Sequence, residues 1–324
     1  MSVPIEIAAV RPEELPAAVE LALSNVPAEG RDERILNTLV LISSGDIDPG
    51  GLFVARRQGR MCGVFVCIPL PGASGLVWLP RWVDPHPTDN EQQALIATGL
   101  DWLRRRGCRL AQLIVPPEHE ADQAPFWQAG FRSAGPLLTL RHDLSSPPKV
   151  PQRPGWRLRS SVEVADERLG ELVARTYEGT LDFPEMSGTR TMREVLTGHR
   201  AAGRHRADDW WIGFEGSEPA AVLLLTEMEP LGAWDLTYLG VAPEQRRRGW
   251  GAWLIAEALR KVADAGGDQL EVGVDARNAP ALQLYASGGF RVVDRRAVSL
   301  LFFRNAEIDG IPTAAAASAP IESS

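Results

Sequence analysis

Leu239-Gly-Val-Ala-Pro-Glu-Gln-Arg-Arg-Arg-Gly-Trp-Gly-Ala-Trp-Leu254 carries the sharpest signal in this chain of 324 residues. An apolar, alternating run ends at Pro243, a short Arg/Gly loop follows, and an amphipathic helix begins at Trp250. A loop of that kind points successive backbone N–H groups out of a helix N-terminus, where the helix dipole also favours negative charge. Gly249 and Gly251 remove side chains that would hold a phosphate away from those amides, and the arginines add positive charge. The stretch therefore reads as a pyrophosphate cradle; the plainer reading is an Arg-rich solvated turn before a helix. It is neither the G-x-G-x-x-G of a dinucleotide fold nor a P-loop, since no Gly-Lys-Ser/Thr follows.

Working outward, hydrophobic periodicity predicts strands over 156–160, 210–215, 220–228 and 233–241 and helices over 166–178 and roughly 189–202. After the loop come a helix over 250–264, a buried strand over 269–275, a short helix over 279–287 and a strand pair within 291–304. This order indicates an α/β protein, a mixed sheet with helices on both faces. Upstream, an offset of 159 residues superimposes two helical stripes: Leu254, Ile255, Ala258, Leu259 and Val262 over Leu95, Ile96, Gly99, Leu100 and Leu103. The same offset lays Leu270, Val272 and Val274 over Ala111, Leu113 and Val115, and Gly289-Phe290-Arg291 over Gly130-Phe131-Arg132. One offset across helix, strand and turn indicates a duplication. Residues 145–155 are proline-rich and read as a linker between domains at 1–144 and 156–304, while 305–324 has no period and reads as a disordered tail.

Arg246-x-x-Gly249-x-Gly251 resembles the Q/R-x-x-G-x-G/A motif of GNAT acetyltransferases, which binds the acetyl-CoA pyrophosphate. Downstream, Asp275-Ala-Arg-Asn-Ala-Pro-Ala-Leu-Gln-Leu-Tyr-Ala-Ser-Gly-Gly-Phe290 is similar to the family's second signature through Asn278, Ala281, Tyr285, Gly289 and Phe290. The resemblance covers about residues 156–304. It implies that backbone groups near Leu239, Gly240 and Val241 pair with the pantetheine arm, which requires the fourth and fifth strands of this half to splay. Amides from Arg246, Arg247, Arg248, Gly249, Trp250, Gly251 and Ala252 would hold the diphosphate, with Asn278 on the cofactor side. Tyr285 matches the tyrosine that protonates the departing thiolate; its other reading is a core aromatic. Asp235 aligns with the glutamate base of one family branch, or is a polar rim residue of its strand, with Glu227 in reserve. The loop before the sheet, which shapes the acceptor site in this family, is Tyr177–Met186. Its Asp182, Phe183 and Glu185 suit a cationic amine, or belong to a solvated capping loop.

In the first half the fold-bearing apolar residues persist and the chemistry does not. At the shared offset Arg246, Gly249 and Gly251 become Pro87, Asn90 and Gln92, while Asn278, Tyr285 and Asp235 become His119, Phe126 and Leu76. This half reads as a degenerate GNAT domain. A formal net charge of −8 argues against a nucleic-acid or anionic-lipid surface. Cys62, Cys67 and Cys108 all lie in the first half without a C-x-x-C pair, so a cysteine acyl-enzyme in the second half is excluded. The five histidines lack ligand spacing, so no metal is expected, and the absence of a membrane-length apolar run suggests a cytoplasmic protein. The resemblance implies direct acetyl transfer from acetyl-CoA to a primary amine, of a small molecule first. Protein or peptide N-acetylation and non-catalytic acyl-CoA binding are the alternatives. The acceptor's identity and the oligomeric state are not written in the sequence.

Overall fold

Helix formation at the deciding stretch follows from its buried stripe. Trp250, Trp253, Leu254, Ile255, Ala258, Leu259 and Val262 are all buried, and Gly249 starts the helix at φ 96°, a backbone region that favours glycine. Two other helices begin with a Thr/Glu capping box, Thr88 with Glu91 and Thr191 with Glu194. The computed structural model describes residues 4–83, 87–144, 149–228 and 233–303. The expected tail and the start of the linker, 145–148, lie outside the described residues.

The first half runs β1 (Ile5–Ala9), α1 (Leu15–Ala22), α2 (Arg31–Ser44), β2 (Leu52–Arg57), β3 (Arg60–Leu70), β4 (Ser74–Val77), β5 (Arg81–Trp82), α3 (Asp89–Arg105), β6 (Leu110–Val115), α4 (Ala124–Gln128) and β7 (Arg132–Asp143). The second runs β8 (Trp156–Ser160), α5 (Asp166–Tyr177), α6 (Met192–Arg200), β9 (Trp210–Glu215), β10 (Glu218–Met228), β11 (Ala233–Val241), α7 (Trp250–Asp264), β12 (Gln269–Asp275), α8 (Ala279–Ser287) and β13 (Arg291–Phe302). The duplication is visible in this order, and β7 and β13 begin 159 residues apart. Helix α6 is shorter than the stretch 189–202 because Thr191 caps it.

The halves exchange their last strands. The sheet order is β1-β2-β3-β4-β6-β13-β7-β12-β11-β10-β9-β8, with β5 off the path on β3. Strand β13 of the second half pairs with β6 of the first, Ala297↔Val115 through Phe302↔Leu110. Strand β7 of the first half pairs with β12 of the second, Gln269↔Asp143 through Asp275↔Leu137. The expected strand pair within 291–304 is instead the single strand β13. Register shifts at Val292/Asp294 and Val298/Ser299 bend it between two partners, and such bends mimic a turn in the sequence.

Helices cover both faces. In the second half α7 and α8 pack on one face, over a core that includes Leu140 and Leu144 from β7 and the end of the first half. Helices α5 and α6 pack on the other, over Trp210, Ile212, Phe214, Val222 and Leu224. In the first half α3 and α4 cover one face and α1 and α2 the other. Arg109 of the first half pairs with Glu194 of α6 at 2.8 Å, which ties this helix to the neighbouring half. Among the described residues no helix is long and apolar enough to cross a membrane.

Candidate functional site

Strands β11 and β12 run parallel but stay paired only at Trp234↔Leu270 and Asp235↔Glu271. Beyond that point they part, leaving the edges of Leu236–Val241 and Val272–Val274 facing each other across a cavity of about 640 Å³. A bulge opens the same place: Leu224 opposes Tyr238 and Leu225 opposes Leu236, so Thr237 has no partner of its own on β10. Bulges re-aim side chains, and Thr237 lines the cavity. Unpaired strand edges accept an extended amide chain as an added strand. A pantetheine arm, with two amides along an apolar tether, fits this opening. The counterpart in the first half is closed, since β4 and β6 keep all four pairs from Ser74↔Leu110 to Val77↔Leu113.

At one end of the cavity lies the loop into α7. Arg246, Arg247, Gly249, Trp250, Gly251 and Ala252 all border it. The three arginines divide their work. Arg246 is turned into the fold, its guanidinium donating to the carbonyls of Val241 (3.1 Å), Thr176 (3.1 Å) and Glu178 (2.7 Å), which ties the end of α5 to the loop. Arg248 is neutralised by both Glu215 oxygens at 2.7 Å. Arg247 adopts φ 60°, is exposed, and has no side-chain partner among the described residues. Gly251 has a packing reason of its own, since a Cβ there would stand 2.9 Å from Leu284 of α8. Asn278 borders the cavity as well, while its Oδ1 accepts from the Ala281 amide as the N-cap of α8.

At the other end are the titratable groups. Tyr285 lines the cavity from α8; burial, then the carboxylates of Asp182 and Asp235, push its phenol pKa up and keep it protonated. The Asp235 carboxyl is pushed up to about 6, chiefly by burial. Asp235 does not itself border the cavity. Its Oδ2 lies 3.0 Å from Thr237 Oγ1, which does, and Thr237 Oγ1 lies 2.9 Å from Thr226 Oγ1. Glu227, the reserve residue, stands off the cavity in a bridge with Arg204.

The loop expected to form an acceptor wall is pulled apart by an arginine. Arg277 binds Glu185 through two bonds of 2.7 and 3.0 Å and the fully buried Asp275 at 2.6 Å, which takes Glu185 out of the cavity. Phe183, at φ 42°, donates its amide to Asp275 and packs against Leu110, Ala134, Val298 and Leu300. Asp182 alone of the three borders the cavity, with Oδ1 accepting from the Asp275 amide at 2.8 Å. Asp182 is exposed, and partial desolvation by the neighbouring protein raises its pKa. An amide at this position keeps the accepting oxygen. Asp182→Asn is therefore expected to fold normally, raise the acceptor KM about tenfold and leave acetyl-CoA affinity unchanged, by steady-state kinetics with calorimetry.

The profile of the acetyltransferase (GNAT) family matches residues 173–290, which hold the opened strands, the loop and α8. The second half of the chain thus carries a GNAT-family domain. A curated protein named mycothiol acetyltransferase from Clavibacter sepedonicus is 40% identical over 210 residues. That match covers 58% of this chain and 66%, just under two thirds, of the relative's length. A GCN5-related N-acetyltransferase from Sphaerobacter thermophilus is 19% identical, with a TM-score of 0.63 over 94% of this chain and 98% of that one. A tandem GNAT protein from the clavulanic acid biosynthesis pathway aligns with a TM-score of 0.53 and 16% identity, covering 92% and 98%. The shared fold is a tandem GNAT architecture, and it also resembles mycothiol synthase. Thr237 went unnoticed in the sequence because its role depends on a bulge. Arg277 lies just before the matched positions, and nothing in the sequence shows that Glu185, 92 residues upstream, is its partner.

Proposed function

We propose that the second half of this GNAT protein transfers an acetyl group from acetyl-CoA directly to a primary amine of a small molecule. The observation that carries this reading is one cavity joining an opened strand edge and a glycine-bearing helix N-terminus to Tyr285, Asp182 and the Thr237–Asp235 pair. The edge of Leu239, Gly240 and Val241 holds the pantetheine amides, and the amides from Arg247 to Ala252 take the diphosphate. Acetyl-CoA supplies an activated thioester. Asp182 draws the amine in as a cation, which gives up one proton to solvent before the neutral amine attacks. Thr237 Oγ1 takes a proton from the attacking nitrogen while passing its own to Asp235. The nitrogen–carbonyl bond forms, the carbon–sulfur bond breaks, and Tyr285 protonates or hydrogen-bonds the leaving thiolate. The similarity to proteins named mycothiol acetyltransferase supports a small-molecule acceptor. The boundaries 1–144 and 156–304 stand as our division of the chain, with the first half shaping the site rather than binding a second acetyl-CoA.

Calorimetric titration of the full chain with acetyl-CoA tests the cofactor assignment, and release of free CoA across an amine panel tests the reaction. Gly249→Glu is expected to weaken acetyl-CoA binding on the order of 10²-fold. It forces a side chain onto a residue at φ 96°, where even a Cβ would stand 3.3 Å from Arg153 Nη2, and adds a negative charge to the loop meant for the diphosphate. Unchanged affinity in a variant that still melts cooperatively would remove the loop from the site.

A further inference from the structure

Four arginines surround the start of α7, and two of them are spent on the fold. Arg246 donates to three carbonyls and Arg248 is paired with Glu215. The side chains of Arg247 and Arg153 have no hydrogen-bond or carboxylate partner among the described residues, and both residues are exposed. They stand in different places. Arg247 borders the cavity, whereas Arg153 does not. Arg153 comes from the linker between the halves, and its Nη2 stands 3.3 Å from the Cβ position of Gly249.

The linker arginine is held there by a stack of indoles. Its guanidinium carbon lies 5.4 Å above the Trp156 ring, and Trp156 stacks on Trp250 at 4.0 Å with an interplanar angle of 10°. Trp250 is the first residue of α7 and is buried, with Trp253 closing the cluster edge-on at 5.4 Å. Cation–π contact and stacking fix the guanidinium at the helix start without neutralising it. This leaves a free, positioned cation beside the start of α7 and off the cavity lining.

We propose that Arg153 binds the 3′-phosphate at the nucleotide end of acetyl-CoA, making the linker between the halves part of the cofactor site. This rests on the acetyl-CoA reading. With the diphosphate on the α7 amides and the pantetheine inside the cavity, the 3′-phosphorylated adenosine is the part of the molecule that continues outward past Gly249. A guanidinium matches a phosphate monoester through two parallel hydrogen bonds.

Calorimetric titrations of the intact chain with acetyl-CoA and with acetyl-3′-dephospho-CoA test this, on wild type, Arg153→Met and Arg153→Lys. Wild type is expected to prefer acetyl-CoA by about tenfold, a preference that shrinks as salt rises. Arg153→Met should lose about that factor toward acetyl-CoA and bind the dephospho form as wild type does, with Arg153→Lys between them. Equal weakening toward both forms, or none toward either, overturns the 3′-phosphate assignment while leaving the acetyl-CoA reading intact. A wild-type chain that binds neither form overturns that reading, and the proposal with it. Melting curves that match wild type keep a loss of the Trp156 stack from passing as a loss of the phosphate contact.

Discussion

Asp235→Asn is expected to lower kcat on the order of 10³-fold and to erase an acid limb from the pH–rate profile. The carboxyl is pushed up to about 6 by burial, so its basic form is lost as pH falls through that value. Turnover by the wild-type enzyme should then drop about tenfold per unit below pH 6. The asparagine variant keeps a hydrogen-bond acceptor for Thr237 and has no proton to exchange. Stability should move the other way from activity. A carboxyl whose folded pKa lies above its ordinary 3.8 favours the fold below that pH, and this contribution is gone once pH passes about 6. At pH 7.5 the variant should therefore melt no lower than wild type. A profile that keeps its limb near pH 6, or a variant turning over at the wild-type rate, would make Asp235 a rim residue and pass the base role elsewhere.

The parts of this site that were legible in the sequence are those encoded locally. The glycine loop, the stripe of α7 and the Asn278-to-Phe290 signature each depend on near neighbours in the chain, so spacing revealed them. Residues whose meaning depends on a distant partner were misjudged or unseen. Glu185 and Phe183 have the composition of an amine site, but Arg277 and the interior between the halves claim them. Arg246 matches a phosphate motif, yet its side chain closes α5 onto the loop and its amide donates to the Pro243 carbonyl. Arg153 sits in a proline-rich stretch whose reading as a spacer says nothing of the indoles it meets. The strand exchange was hidden for a different reason. Strands β7 and β13 descend from one repeat and carry similar alternation, so the pattern of either suits either partner and only the three-dimensional path decides between them.

That exchange leads to the expectation that neither half folds alone. Cutting within the linker leaves fragment 1–148 without β13, so β6 loses the ladder along Leu110–Val115, and β7 keeps neither of its sheet neighbours. Fragment 149–324 loses β7 along the whole of β12, together with Leu140 and Leu144, which pack in the core beneath α7. Truncating one buried leucine costs about 2–5 kcal/mol, and a bared strand edge adds unpaired amides to that loss. Against a net stability of about 5–15 kcal/mol for an ordinary domain, such losses leave little folded population. Each fragment by itself is expected to show no cooperative thermal transition, and an equimolar mixture refolded together should recover one, with acetyl-CoA binding returning alongside it. The exchanged strands would then act as a clasp that makes the degenerate half a condition for the folding of the half that binds cofactor, whether or not the first half touches a ligand. Fragment 149–324 melting cooperatively and binding acetyl-CoA on its own would defeat this, because β12 would have to be stable with its β7 edge open or with β13 folded back in its place.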